Sequence, residues 1–248
     1  MKIGSKRNVG KVRDNSEDSL LVDERQGIFI VADGMGGHQG GEVASHMAVE
    51  IVGEFLKDKI PSCDKKEDFY KLLMEAIFIA TERIKLQADR DINLKGMGTT
   101  IVIAILHNDN LYISHVGDSR AYLIRHGNIK QLTEDHSVVA QMVKAGMITA
   151  EEARRHHLKH IITQALGTSE DLAPTFEMLN IEKGDYILLC TDGLTDMLTD
   201  EEILSLIITC NGEPEKGCEL LINEANKKGG KDNITVYTKI KNKRVLRR

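Results

Sequence analysis

Residues 99–118, TTIVIAILHNDNLYISHVGD, contain two apolar runs, 99–106 and 111–118, separated only by the polar tetrad HNDN. So short a break is a hairpin turn. Strands joined in this way pair antiparallel, because parallel neighbours need a crossover of a dozen or more residues. The same reading extends in both directions. DSLLVDE (18–24) is followed after a short polar break by GIFIVAD (27–33), and AYLIRHGNIKQL (121–132) turns near Gly127-Asn128. YILLCTDG (186–193) and ITVYTKI (234–240) supply later strands.

Between these runs the period changes from two to 3.6. Residues 42–59 set Val43, Met47, Ile51 and Phe55 on one stripe, and residues 66–88 do the same with Phe69, Leu73, Ile77 and Ile84. Thr149 with Glu152, and Thr199 with Glu202, form capping boxes that predict helix starts. A helix over 214–228 stops at Gly229-Gly230. One-striped helices need a sheet to cover, and paired strands need covering. The fold class is therefore α+β, with antiparallel sheets inside and helices outside.

Composition excludes several functions. The 248 residues are 41% hydrophobic and 29% charged, which suits a globular chain with a substantial core. Aromatics at 4% are too few to stack single-stranded bases. The net charge of −5 comes from 38 acids against 33 bases, and six of those bases fall in the last ten residues, KIKNKRVLRR. An acidic body argues against nucleic acid as a partner. No apolar run is long enough to predict a membrane span. The polar N-terminus, MKIGSKRNVGKVRDNSED, shows no secretory h-region. Cys63, Cys190, Cys210 and Cys218 form no C-x-x-C pair, so the expectation is reduced thiols in a cytoplasmic protein.

The acids are more informative by position than by number. Three apolar strands run into Asp33-Gly34, Asp118-Ser119 and Asp192-Gly193, and Asp232-Asn233 precedes a fourth. Each alone reads as a turn. Four on strands of one sandwich, with Glu17-Asp18 ahead of the first, place six carboxylates within reach of one sheet edge. Such a set must raise its pKa values or bind cations. An all-oxygen set suits Mg²⁺ or Mn²⁺. The glycine run from Gly34 to Gly41 fails the G-x-G-x-x-G pattern, because Gln39 stands in the third glycine's place. Its reading is close approach of backbone, including the Gly34 carbonyl, to a metal.

The ordered blocks VRDNSED (12–18), VADGMGGHQGGEVAS (31–45), GMGTT (96–100), VGDSRAY (116–122), LTEDHS (132–137), ITQALG (162–167), CTDGLTD (190–196) and GGKDNITV (229–236) carry a resemblance. Over about Lys2 to Ile240 the chain resembles bacterial PPM-type, or type 2C, metal-dependent Ser/Thr protein phosphatases. The resemblance implies a four-layer α-β-β-α sandwich with two central antiparallel sheets and a dinuclear metal site at the sheet edge. It implies one catalytic domain over 1–241, a flap at about 137–167, and a basic tail at 242–248.

By matching positions, Asp33 corresponds to the aspartate bridging two metals, with the Gly34 carbonyl beside it. Asp192 and Asp232 correspond to ligands of one ion, Glu17 and Asp18 to the acids around the other, and Asp118 with Asp192 to holders of a third. The cofactors implied are two to three Mn²⁺ or Mg²⁺ ions. Arg13 corresponds to the arginine that grips the substrate phosphate. Two positions depart from the family. Ser16-Glu17-Asp18 replaces Asn-Glu-Asp, and Met35 stands where some members have a histidine. His38 is then a candidate catalytic proton donor, with a metal-bound water as the alternative.

The implied reaction is hydrolysis of phosphoserine and phosphothreonine in proteins by direct attack of a metal-bridging water. The partners are phosphorylated proteins made by a Ser/Thr kinase, and the enzyme acts as a monomer. The alternatives are a hydrolase of another phosphoester and a non-catalytic phosphoprotein-binding domain of the same fold. Around the site, Thr191, Asn233 and Asp196 read as supports for ligands, and Asp135-His136 as a loop-fixing pair. Arg154, Arg155, His156, His157, Lys159 and His160 read as a solvated face or a contact to phosphopeptide. The basic tail reads as solvated, with anionic lipid or a partner as the minor alternative.

Overall fold

The structure is a computed structural model that describes residues 2–36 and 39–240. Strand β1 (Lys2–Asn8) is followed by the hairpin β2 (Asp18–Asp23) and β3 (Ile28–Met35). Two long helices come next, α1 (Gly40–Lys59) and α2 (Lys66–Arg90). The short β4 (Gly98–Thr99) leads into β5 (Ile101–His107), β6 (Asn110–Val116), β7 (Arg120–Arg125) and β8 (Asn128–Gln131). Helices α3 (Val138–Lys144) and α4 (Ala150–Arg155) precede β9 (Thr175–Asn180) and β10 (Tyr186–Cys190). Helices α5 (Asp192–Thr195), α6 (Asp200–Thr209) and α7 (Pro214–Lys227) and then β11 (Ile234–Ile240) complete the order.

The strands form two sheets, ordered β1-β11-β10-β7-β8 and β2-β3-β5-β6-β9, with β4 paired to β3. Every pairing is antiparallel, as the short turns predict. Helices α1 and α2 cover one sheet and α6 and α7 the other, which gives the α-β-β-α layering. Among the described residues no helix is long and apolar enough to cross a membrane.

The period of two explains how the layers are shared. In β3, Ile28, Ile30 and Ala32 pack under α1 and α2, whereas Phe29 and Val31 point between the sheets. β5 repeats the division, with Ile101, Ile103 and Ile105 outward and Val102 and Ala104 inward. On the opposite sheet, Leu188 and Cys190 of β10 face α6 and α7, and Ile187 and Leu189 face inward. Phe29 and Tyr237 stack across the gap with ring centroids 4.5 Å apart. That contact adds about 0.5–1.5 kcal/mol beyond simple burial.

Two edge strands escape the sequence pattern. β1, KIGSKRN, buries only Gly4, and β9, TFEMLN, buries no residue fully. Both capping boxes form, with Thr149 and Thr199 accepting from the amides of Glu152 and Glu202. The helix expected over 214–228 ends at Lys227, after which Gly229 and Gly230 take positive φ. β3 does not stop at Asp33: it continues through Gly34 and Met35, because β4 extends the ladder with Gly34↔Thr99 and Met35↔Gly98. Asp192 opens the short helix α5 and does not sit in a simple turn.

Candidate active site

The alternation that fills the space between the sheets also places the carboxylates. Asp33 follows Phe29 and Val31 on the inward face of β3, and Asp18 begins the face that Leu20 and Val22 continue on β2. Asp18 and Asp33 are direct cross-strand partners. On the opposite sheet, Thr191 follows Leu189 just after β10, and Thr235 precedes Tyr237 on β11. Both threonines donate to Asp18 Oδ2, at 2.9 and 2.6 Å. The site is therefore the open end of the inter-sheet core, where apolar side chains give way to acids.

Of the sequence candidates, Arg13, Glu17, Asp33, Gly34, Asp118, Asp192 and Asp232 line one cleft of about 540 Å³. Asp18 lies beneath them, 1% exposed. His38 lies outside the described residues, as do residues 242–248 of the basic tail. The Glu17 amide donates to Asn233 Oδ1 at 2.7 Å, and Asn233 Nδ2 donates to the carbonyls of Val9 and Asn15. Asn233 therefore ties the loop carrying Arg13 and Glu17 to the start of β11. Gly34 needs its missing side chain, since a Cβ there would lie 2.0 Å from the Gly41 carbonyl oxygen. That contact brings the start of α1 down onto the Asp33-Gly34 backbone.

Crowding shows in the protonation of these acids. Burial first, and then the surrounding aspartates Asp18, Asp192, Asp118 and Asp232, raise Asp33 well above the usual carboxylate range. Asp192 rises for the same reasons, with burial leading and Asp118 the strongest neighbour. Burial pushes Asp18 up to about 7 against the opposing hydroxyl bonds of Thr235 and Thr191. It also pushes Asp118 up to about 7, with Asp135 adding to it. Glu17 is raised by burial as well.

Such a site fits divalent cations. Asp18 Oδ1 and Asp192 Oδ1 are buried without a hydrogen-bond partner among the described residues. Buried carboxylate oxygens do not go unpaired without a substantial desolvation cost. The candidate ligands that line the cleft around them, Glu17, Asp33, the Gly34 carbonyl, Asp118 and Asp232, all offer oxygen, the donor that hard divalent ions prefer. Arg13 Nη2 bonds Asp232 Oδ2 at 2.7 Å, which leaves the rest of a half-exposed guanidinium facing the cleft.

The segment between His136 and Leu166 folds over one side. Lys159 Nζ bonds Asp196 Oδ2 at 2.6 Å, and Arg154 Nη2 donates to the carbonyls of Thr195 and Leu198, each at 3.1 Å. Arg155, His157 and His160 remain exposed. The basic run is thus partly a solvated face and partly an anchor to α5. His160, Asp192 and Asp196 each bring one ligand atom to within 4.8 Å of one another. Sequence spacing did not single out that grouping, because His160 joins it only through the fold.

The model of protein phosphatase 2C matches residues 7–213 of the sequence. The chain belongs to the protein phosphatase 2C family. It is 40% identical over 241 residues to the protein phosphatase PhpP of Streptococcus pneumoniae, covering 95% of this chain and 96% of that one. The serine/threonine phosphatase PstP/Ppp of Mycobacterium tuberculosis superposes with a TM-score of 0.89 at 35% identity, over 98% of this phosphatase and 99% of that chain. The catalytic domain of PstP in complex with two manganese ions gives a TM-score of 0.84 at 34% identity, with 96% of each chain covered. The four-layer fold and the family expected from the motifs are both met.

Proposed function

We propose that this serine/threonine protein phosphatase hydrolyses phosphoserine and phosphothreonine in proteins with two or three Mn²⁺ or Mg²⁺ ions. The ions would be held by Glu17, Asp18, Asp33, the Gly34 carbonyl, Asp118, Asp192 and Asp232. The observation that carries the reading is the convergence of these donors at one end of the inter-sheet core, with two buried carboxylate oxygens unpaired. When bound, the ions supply a water activated at neutral pH and Lewis acidity toward the phosphoryl oxygens.

The protein's own residues do the rest. Thr191 and Thr235 hold one oxygen of Asp18 and so fix its carboxylate, whose other oxygen is left without a hydrogen-bond partner among the described residues. Asp33, paired across from Asp18 and bonded at its backbone by Thr99 and Thr100, is placed with the same rigidity. Arg13 presents planar N–H donors that match two phosphoryl oxygens at once, and its bond to Asp232 aims it. Charge developing on the phosphoryl group is met by groups already in position. The proton for the leaving serine or threonine oxygen comes from His38 or from water.

We place segment 137–167 as a flap over the cleft and residues 1–241 as one catalytic domain. The enzyme's counterpart is a serine/threonine kinase of the same cell. Four buried cysteines, all free, suit the reducing cytoplasm. The intact set of acids argues against a phosphoprotein-binding domain without turnover. The test is phosphate release from phosphothreonine peptides by purified protein with Mn²⁺, beside a chelator control and Asp192→Asn. No release, or equal release by the variant, overturns the reading.

A further inference from the structure

Asp118 sits in a tight turn between β6 and β7, and the side chain that holds this turn comes from elsewhere. The His136 amide donates to the Gly117 carbonyl at 2.9 Å, and the Gly117 amide donates back to His136 Nδ1 at 3.2 Å. An N–H can only donate, so Nδ1 is unprotonated and the ring carries its proton on Nε2. Gly117 has a φ of 101°, and a Cβ there would fall 2.5 Å from Thr100 Cγ2. The turn is therefore pressed against Thr100, whose hydroxyl bonds Ser119 Oγ at 2.8 Å and accepts from the Asp33 amide at 2.9 Å.

The ring of His136 is itself fixed. It stacks on His115 with centroids 4.7 Å apart. His115 is 1% exposed, with Nε2 donating to the Glu134 carbonyl at 2.8 Å and Nδ1 accepting from the Thr175 hydroxyl. Next to His136, Asp135 takes a two-pronged bond from Arg120, Nε to Oδ1 at 2.9 Å and Nη2 to Oδ2 at 2.7 Å. The Asp135-His136 pair thus clamps the Gly117–Arg120 turn at both ends.

The backbone of His136 also faces the flap. Its carbonyl accepts from the Thr163 amide at 2.7 Å, the Val138 amide donates to the Ile161 carbonyl, and Ser137 bridges Ile162. Three residues later Leu166 exchanges both backbone bonds with Thr99, beside Asp33. The flap stem, the Asp118 turn and the Asp33 backbone therefore form one hydrogen-bonded unit with His136 at its junction.

We propose that His136 is a positioning residue that sets the Gly117–Asp118 turn for metal binding and couples that turn to the flap stem. The proposal rests on Asp118 serving as a metal ligand, as in the reading above. Asn is the conservative replacement, since its Oδ1 can take the place of Nδ1 and accept from the Gly117 amide. Gln reaches one bond too far, and Leu accepts nothing.

The experiment is Mn²⁺ titration by calorimetry of wild type, H136N, H136Q and H136L, with amide exchange read over 114–120 and 160–166. H136Q and H136L should weaken the last ion to bind by roughly tenfold or more, the scale at which outer supports of a metal site act. H136N should stay within about threefold of wild type on the same scale. Exchange should quicken in both segments in H136Q and H136L. Unchanged Mn²⁺ binding in all variants overturns the proposal, as does H136N falling together with H136Q. If H136L does not fold, the pair of amide variants decides. Weakened binding with unchanged exchange over 160–166 overturns the coupling to the flap. Wild-type protein that binds Mn²⁺ yet releases no phosphate sinks the proposed reaction and leaves the role of His136 to the calorimetry. Wild type that binds no Mn²⁺ overturns both.

Discussion

Asp18 and Asp33 stand directly opposite each other on the paired strands β2 and β3, both turned into the space between the sheets. Like charges in that relation destabilise a sheet, and burial makes the conflict worse. The metal-free fold is therefore least comfortable at the proposed cation site.

Asp33→Asn removes the cost of burying an ionisable carboxyl in this crowd while keeping the shape and the backbone bonds from Thr99 and Thr100. The variant should lose at least about 100-fold in phosphatase activity, the upper range seen when even an indirect metal support is removed. Metal-free, it should melt a few degrees higher than wild type, since about 1 kcal/mol corresponds to roughly 2–4 °C in a chain of this size. A metal-free melting point below that of wild type would contradict the electrostatic account.

The raised acids fix a pH dependence. Asp18 and Asp118, both pushed up to about 7, keep protons in the folded apo protein that the unfolded chain has already released. The folded state then binds more protons than the unfolded one, so metal-free stability falls as pH rises through about 7. Buried His115, held down to about 4, pulls the other way below the usual histidine range. The clean comparison is therefore between about pH 6.5 and 8. Thermal melts with a chelator should show lower stability at the upper pH, and melts with Mn²⁺ should show stabilisation growing with pH, because binding expels the protons. A chelated protein that is more stable at pH 8 would refute this.

How much of this was legible beforehand follows from the physics of each element. Ile28 to Val31 and Ile101 to Ile105 show their strands by apolar run, and the helix stripes show their faces, because burial imposes the period. β1 and β9 gave no such signal: Ser5, Lys6 and Arg7 pair with Tyr237, Val236 and Thr235 as an edge, where a polar strand is stable once its partner exists. All the proposed metal-holding acids were legible, because each falls within or beside an apolar strand pattern in a recognisable block. Thr191 and Asn233 were legible as supports beside those positions, but Thr235 was not, since its bond to Asp18 spans 217 residues of sequence. The Lys159–Asp196 tie and the His136–Gly117 exchange likewise depend on how the flap stem meets the body.

Arg13 offers a test that separates substrate binding from stability. Its pair with Asp232 is half exposed, so removing it costs the fold little. A charged hydrogen bond to phosphate contributes about 1.5–3 kcal/mol. Arg13→Ala should therefore lower kcat/KM by about 10- to 100-fold, with the melting point unchanged. Arg13→Lys should recover only part, because a point charge cannot match two oxygens at once. Steady-state kinetics on a phosphothreonine peptide decide, and full recovery by Lys would show that planar recognition is not used.

The hydroxyl of Thr235 provides the most selective probe of Asp18. Its bond to Asp18 Oδ2, at 2.6 Å, favours the charged carboxylate and opposes the upward push of burial. Thr235→Val keeps the shape of the side chain and removes that donor, leaving Thr191 as the remaining hydroxyl support at 2.9 Å. The Asp18 pKa must then rise further, so a higher pH is needed before the carboxylate is free for a cation. Mn²⁺ affinity at pH 7 should fall by roughly 10- to 100-fold, and the acidic limb of the pH–activity profile should move upward. The same shift should appear in the pH dependence of Mn²⁺ binding by calorimetry, which reads no turnover. A variant with weaker activity but an unmoved acidic limb would mean that Thr235 supports packing and not the charge on Asp18.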